Sequence, residues 1–152
     1  MAGLTGLLPA LLPGAVRIDT GRVEAAPADP GAYALALQIG SPVRLRLGGR
    51  EHVLAPGAYV YAGSAYGPGG LRARLRRHFR RDKALHWHVD RLTVEAGFMR
   101  AFAVEGGSEC AILALLAGSG RFRHPLPGFG SSDCAACPSH LLLWSEQAVE
   151  RL

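Results

Sequence analysis

The sequence lacks any uninterrupted apolar run of about 20 residues, the length a helix needs to cross a bilayer. Cysteine is scarce, three in 152 residues, and an odd count in a chain of cytosolic character argues against a disulfide framework. Charged side chains make up only 19% of the chain while hydrophobic ones reach 49%, which argues against disorder and allows a sizeable core. Acidic residues are the minority charge, 12 against 17 basic. The net charge of +5 and a pI of about 9.6 suit an acidic partner. No internal repeat is visible, and the length fits one domain. The apolar N-terminus, MAGLTGLLPALLPGAV, has no lysine or arginine ahead of it and is broken by Pro9 and Pro13, so it departs from a signal peptide. It reads as an extension, either a short docked or frayed helix or a consequence of the chosen start codon. Residues 1–30 are expected to be a loosely ordered arm, with the domain proper over 31–152. A cytoplasmic location without a membrane partner is expected.

What is present concentrates in residues 58–81, AYVYAGSAYGPGGLRARLRRHFRR. Positions 58–62 are rich in aromatic and β-branched residues and predict a strand with Tyr59 and Tyr61 on one face. Residues 63–70 hold four glycines and a proline and predict a loop that another group can approach closely. Leu71, Leu75 and Phe79 recur at helical spacing and predict a helix over 71–81. Arg74 and His78 lie one turn apart on one edge of its apolar stripe, with Arg81 near the same line. Arg72, Arg76 and Arg80 take the other edge. Six arginines and one lysine stand against one aspartate between Arg72 and Lys83. Such one-sided charge suits an extended polyanion gripped by guanidinium forks, although many basic helix faces are only solvated.

Around this stretch, 32–39, Val43–Leu47, 51–54 and 99–104 predict further strands, and 93–96 is read as another. Residues 84–92 read as a helix. Ser108 is placed to cap a helix over 109–117, with Glu109 in its first turn, where a negative charge suits the dipole. Residues 118–132 form a long glycine- and proline-bearing loop, and 140–144 a last short strand or helix edge. The expected class is α+β, a small, mainly antiparallel sheet flanked by helices.

Two further clusters carry chemistry. In His86-Trp87-His88-Val89-Asp90, His86 and Asp90 share a face if the segment is helical, allowing a hydrogen bond or a metal pair. If it is extended, His86, His88 and Asp90 align instead. The tryptophan also suits stacking on an unpaired base, and a buried structural motif fits equally. Cys134-x-x-Cys137-x-x-His140 has zinc-like spacing, with a fourth ligand from His86, His88 or His124, but a packed loop carrying thiols is the simpler reading. Cys110, in an apolar helix, reads as a core residue.

Gly31-Ala32-Tyr33 and Tyr61-Ala62-Gly63, followed by Leu71, Arg74 and His78, resemble the GIY-YIG nuclease superfamily. The pieces HWHVD, Glu109-Cys110, FGSSDC (129–134) and Ser139-His140-Leu141 look like one uncharacterised branch of it, which also occurs fused to endonuclease III-type repair enzymes. The resemblance runs from about Gly31 to Trp144. It implies an antiparallel sheet flanked by helices and a nucleic acid substrate, DNA ahead of RNA, with a repair protein as partner. It further implies metal-dependent phosphodiester hydrolysis, with Tyr33 and Tyr61 orienting water and Arg74 and His78 holding phosphate. Gly63, Ser64, Arg72, Arg76, Arg77, Arg81, His86 and His88 would contact the nucleic acid. Glu109, or alternatively Asp90, would take Mg2+ or Mn2+. Tyr33 and Tyr61 alone also fit two core tyrosines. Ser64 departs from the pattern, because several nuclease relatives carry a lysine there. A non-catalytic nucleic-acid-binding module is the other expectation.

Overall fold

The strand Gly31–Ile39 (β2) is where the two halves of the core meet. It alternates small and large apolar residues, and a strand sends successive side chains to opposite faces. Tyr33, Leu35, Leu37 and Ile39 enter one core, and Ala32, Ala34 and Ala36 enter the other. Because both faces are covered, β2 lacks the polar alternation of a half-exposed strand. The computed structural model describes residues 1–130 and 137–145. Among the described residues the main sheet has six strands. Val16–Asp19 (β1) pairs with Phe98–Glu105 (β6), which pairs with β2. On the other side of β2 come Gly57–Ala65 (β5), Leu141–Trp144 (β8) and Phe122–Arg123 (β7). All neighbours are antiparallel. Val43–Leu47 (β3) and Arg50–Leu54 (β4) form a separate hairpin turned by Gly48 and Gly49, both at positive φ, which glycine adopts without strain.

Helices Gly70–Phe79 (α2) and Asp90–Glu95 (α3) cover the Tyr33 face, burying Leu71, Leu75 and Leu92 completely. Helices Ala2–Leu11 (α1) and Glu109–Gly118 (α4) cover the alanine face with Leu4, Leu8, Ile112, Leu113 and Leu116. The protein is therefore α+β with a mainly antiparallel sheet flanked by helices, as expected. Ser108 caps α4 by accepting a hydrogen bond from the Ala111 N–H, at 3.4 Å. Among the described residues no helix is long and apolar enough to cross a membrane.

Residues 1–30 follow the docked-helix alternative rather than the loose arm expected of the segment as a whole. α1 runs through Pro9 and stops before Pro13, with Leu4 and Leu8 fully buried, and β1 completes the sheet edge. Residues 27–29 dock on the start of α2, where Pro27 and Asp29 carbonyls accept hydrogen bonds from the Arg72 and Leu71 N–H groups. Chain carbonyls thus occupy these two N–H groups, leaving less of that helix end to an incoming phosphate. Leu8→Ala is expected to lower unfolding free energy by about 2–5 kcal/mol, the range for a buried leucine. Urea denaturation checks this, and a loss under about 0.5 kcal/mol, a surface-like value, would mean α1 adds nothing.

Other differences are local. Residues 93–96, read as a strand, largely fall in α3, and 84–92 is not one helix. Asp90 decides both. Its carboxylate reaches back to accept from the His86 and Trp87 N–H groups at 2.8 and 2.9 Å, like the acid of a capping box. The helix therefore starts there rather than at Ala84. β5 continues to Ala65, so part of the expected glycine loop is strand, and β7 interrupts the long loop.

Candidate functional site

β2 and β5 are antiparallel, with Tyr33 opposite Gly63 and Leu35 opposite Tyr61. The odd-numbered positions share one face, so both phenols point toward α2. A Cβ at Gly63 would collide with the Tyr33 ring and hydroxyl. The glycine makes room for Tyr33 to cross the neighbouring strand and reach His78 of α2, where its hydroxyl shares a hydrogen bond with Nε2 at 2.5 Å.

A polar pocket of about 170 Å³ opens beside this pair, lined by Tyr33, Tyr61, Ser64, Arg74, Glu109 and His140. Trp87 and Gly130 close its sides. Arg74 and Trp87 also line an adjoining cleft of about 180 Å³ that runs over Gly67, Pro68 and Gly70. The Arg74 and Arg77 guanidiniums stand 4.4 and 4.5 Å from the Trp87 ring centroid, within cation–π range. Trp87 is 40% exposed, so its indole both steadies the arginines and lines the groove.

The arginines sort by partner. Arg72 donates to the Ala26 carbonyl at 2.9 Å, and Arg76 faces Glu24 at 3.8 Å, so this edge serves the N-terminal segment. Arg77 pairs with the fully buried Asp90 at 2.6 Å. Arg81 makes a long contact to the Val94 carbonyl. Among the described residues Arg74 forms no ion pair or hydrogen bond and lies over Trp87, at the pocket.

Other expected residues fall elsewhere. Asp90, the alternative metal carboxylate, is sealed beneath Arg77 and two backbone N–H groups. His86 meets Asp90 through its backbone, not its ring. His88 packs on Phe129 at 5.6 Å between ring centroids. His78 is 1% exposed and bonded to the Tyr33 hydroxyl, so its ring is withdrawn from the position that the expected phosphate contact needs. Burial, and then the charges of Lys83, Arg74 and Arg77, hold it neutral with a pKa of about 3. Burial chiefly pushes the Tyr33 phenol well above its ordinary value, and raises Tyr61 to about 12. Arg74 opposes both shifts.

The His78 shift makes a stability prediction. The unfolded chain takes a proton on His78 near pH 6.5, whereas the folded chain resists until about pH 3. This contribution is complete above pH 6.5 and is lost as pH falls toward 3. Urea titrations of the protein and of His78→Gln at successive pH values should converge as pH drops through this window. Parallel profiles would contradict the assignment.

In the pocket lining, His140 Nδ1 lies 3.6 Å from Glu109 Oε2. The ligand atoms of Cys110, Cys137 and His140 all lie within 4.8 Å of one another, a set able to hold a metal ion. Thiolate and imidazole favour metals other than magnesium or manganese. Cys110, expected as simple core, belongs to this cluster, while Cys134 lies outside the described residues. The available signal was its neighbour: Glu109 and Cys110 open α4 about 100° apart, so one turn of helix serves both the pocket and the thiol cluster.

No curated protein and no solved structure matches this chain. Residues 32–152 match one family model throughout. The chain belongs to the family described as the domain of unknown function DUF123.

Proposed function

We propose that this is a GIY-YIG-like domain whose pocket receives a phosphodiester of nucleic acid, DNA ahead of RNA, and hydrolyses it with a divalent metal. The convergence of Tyr33, Tyr61, Arg74 and Glu109 in one polar pocket carries this reading. Arg74, resting on Trp87, offers a planar fork to two phosphate oxygens and stabilises charge that builds on them during attack. Glu109 would hold Mg2+ or Mn2+, a hard cation content with one carboxylate and several waters. When bound, the cation supplies Lewis-acid polarisation of the phosphate and a more acidic water.

The chain's own part is orientation and proton transfer. Tyr33 and Tyr61 hold the attacking water by their hydroxyls. As the water oxygen bonds to phosphorus and the ester oxygen leaves, the water proton passes to the Tyr33 oxygen while the Tyr33 proton moves to His78 Nε2. The leaving oxygen departs on the far side of phosphorus and takes its proton from solvent. His78 is a weak acceptor in the field of Lys83, Arg74 and Arg77. An anionic phosphate beside Arg74 offsets that field and raises its proton affinity.

Incubating the chain with labelled single-stranded, duplex and branched DNA, and with RNA, with and without Mg2+ or Mn2+, tests the proposal. Metal-dependent cutting is expected. Cutting without metal would contradict the assigned roles. A second reading, a nucleic-acid-binding accessory to repair, is favoured by Ser64 at the position of a lysine and by two phenols held protonated. It predicts binding that weakens steeply with salt, about one log unit per phosphate contact for each tenfold rise, and no cutting.

A further inference from the structure

We infer that Cys110, Cys137 and His140 form a zinc site that adjoins the phosphate pocket, with His140 shared between the two, and that does not depend on the nuclease reading. Three observations support it. Two thiols and an imidazole, from the start of α4 and from the chain entering β8, bring their ligand atoms within 4.8 Å of one another. His140 is 3% exposed, and among the described residues its buried Nε2 has no hydrogen-bond partner. A buried nitrogen in that state is costly unless its lone pair is used. Its other nitrogen, Nδ1, faces the Glu109 carboxylate at 3.6 Å. A closer approach of a few tenths of an ångström would let the carboxylate accept from Nδ1–H, as behind metal-bound histidines, with Nε2 turned to the metal.

The donor set decides the metal. Two thiolates and an imidazole suit zinc in tetrahedral geometry, with the fourth position open to water or another side chain. His124 lines the adjoining cavity of about 290 Å³ together with both cysteines. The two sulfurs stand 2.6 Å apart. Two thiolates on one zinc stand about 3.8 Å apart, so binding requires a widening of about 1 Å, which a small side-chain rotation supplies. Loading the site would fix His140, and through it Glu109, whose carboxylate lines the phosphate pocket. Zinc would thereby join α4 to the chain entering β8, with an effect on the pocket transmitted by one carboxylate.

The test uses the full chain purified under reducing conditions and stripped of metal, then titrated with zinc or with cobalt(II) as a spectroscopic stand-in. One metal per chain is expected, and cobalt should show sulfur-to-metal charge transfer with intense tetrahedral bands. Cys110→Ser and His140→Ala should abolish stoichiometric uptake, and Glu109→Gln should weaken it about 10- to 100-fold, the usual loss for a residue behind a metal ligand. Arg74→Ala should bind zinc normally, so a failed nuclease assay leaves this result intact. No uptake by the unsubstituted chain would overturn the proposal without relying on any variant folding. So would uptake unchanged in Cys110→Ser, or mass spectrometry finding Cys110 and Cys137 joined as a disulfide in the isolated protein.

Discussion

Replacing Arg74 by alanine should lower phosphodiester cleavage about 100- to 1000-fold, the usual cost of removing one donor to a developing oxyanion. Thermal stability should change little, because Arg74 is partly exposed and among the described residues engages only the face of Trp87. Arg74→Lys should recover part of the loss at most, since an ammonium keeps the charge but not the two-pronged fork or the stacking. Arg76→Ala is the control on the same helix. It faces Glu24 rather than the pocket, so cleavage should stay near the starting level. Single-turnover rates on one labelled DNA substrate check all three. Equal losses for Arg74 and Arg76 would point to diffuse attraction by a basic helix.

Asp90→Ala should lower unfolding free energy by about 3–5 kcal/mol, the range for breaking a buried ion pair from one side. The carboxylate is fully buried and collects Arg77 at 2.6 Å and two backbone N–H groups. Its removal leaves a guanidinium and two amides without their acceptor. Asp90→Asn keeps an acceptor and loses the charge, so it should cost less, about 1.5–3 kcal/mol. The same change should release the turn that carries Trp87 and loosen the surface on which Arg74 rests. Urea denaturation of the two variants measures the effect, and a loss below about 1 kcal/mol for the alanine would contradict it.

Much of the fold is legible in the sequence because local pattern and tertiary burial agree there. β2, β3, β5, β6 and α2 follow from apolar spacing, and α4 from Ser108 and the apolar run behind it. Where they disagree, the longer-range contact decides. Thr93 and Val94 have strand-forming side chains, but Asp90 starts a helix before them. The N-terminal segment looks loose because its prolines and glycines are turn-formers, whereas Leu4 and Leu8 find an alanine-lined sheet face that only the assembled strands create. The site divides in the same way. Tyr33, Tyr61, Arg74 and Glu109 line one pocket, the first three in the order of the motif and Glu109 from a helix that the motif alone does not position. The split of the arginines between pocket, Asp90 and N-terminal segment depends on neighbours 13 to 52 positions away in the chain. His78 reads as a phosphate contact from its place one turn from Arg74, whereas burial withdraws it from the pocket and, with its basic neighbours, keeps it neutral.

The central claim is that one phosphate sits where Tyr33, Tyr61 and Arg74 converge. A structure of the chain with a short phosphorothioate DNA oligonucleotide, which resists cutting, tests it most directly. The account predicts a backbone phosphate within hydrogen-bond reach of the Arg74 guanidinium and the Tyr61 hydroxyl, with the strand following the cleft past Trp87. An oligonucleotide lying along the Arg72 and Arg76 edge, with the tyrosine pocket empty, would contradict it.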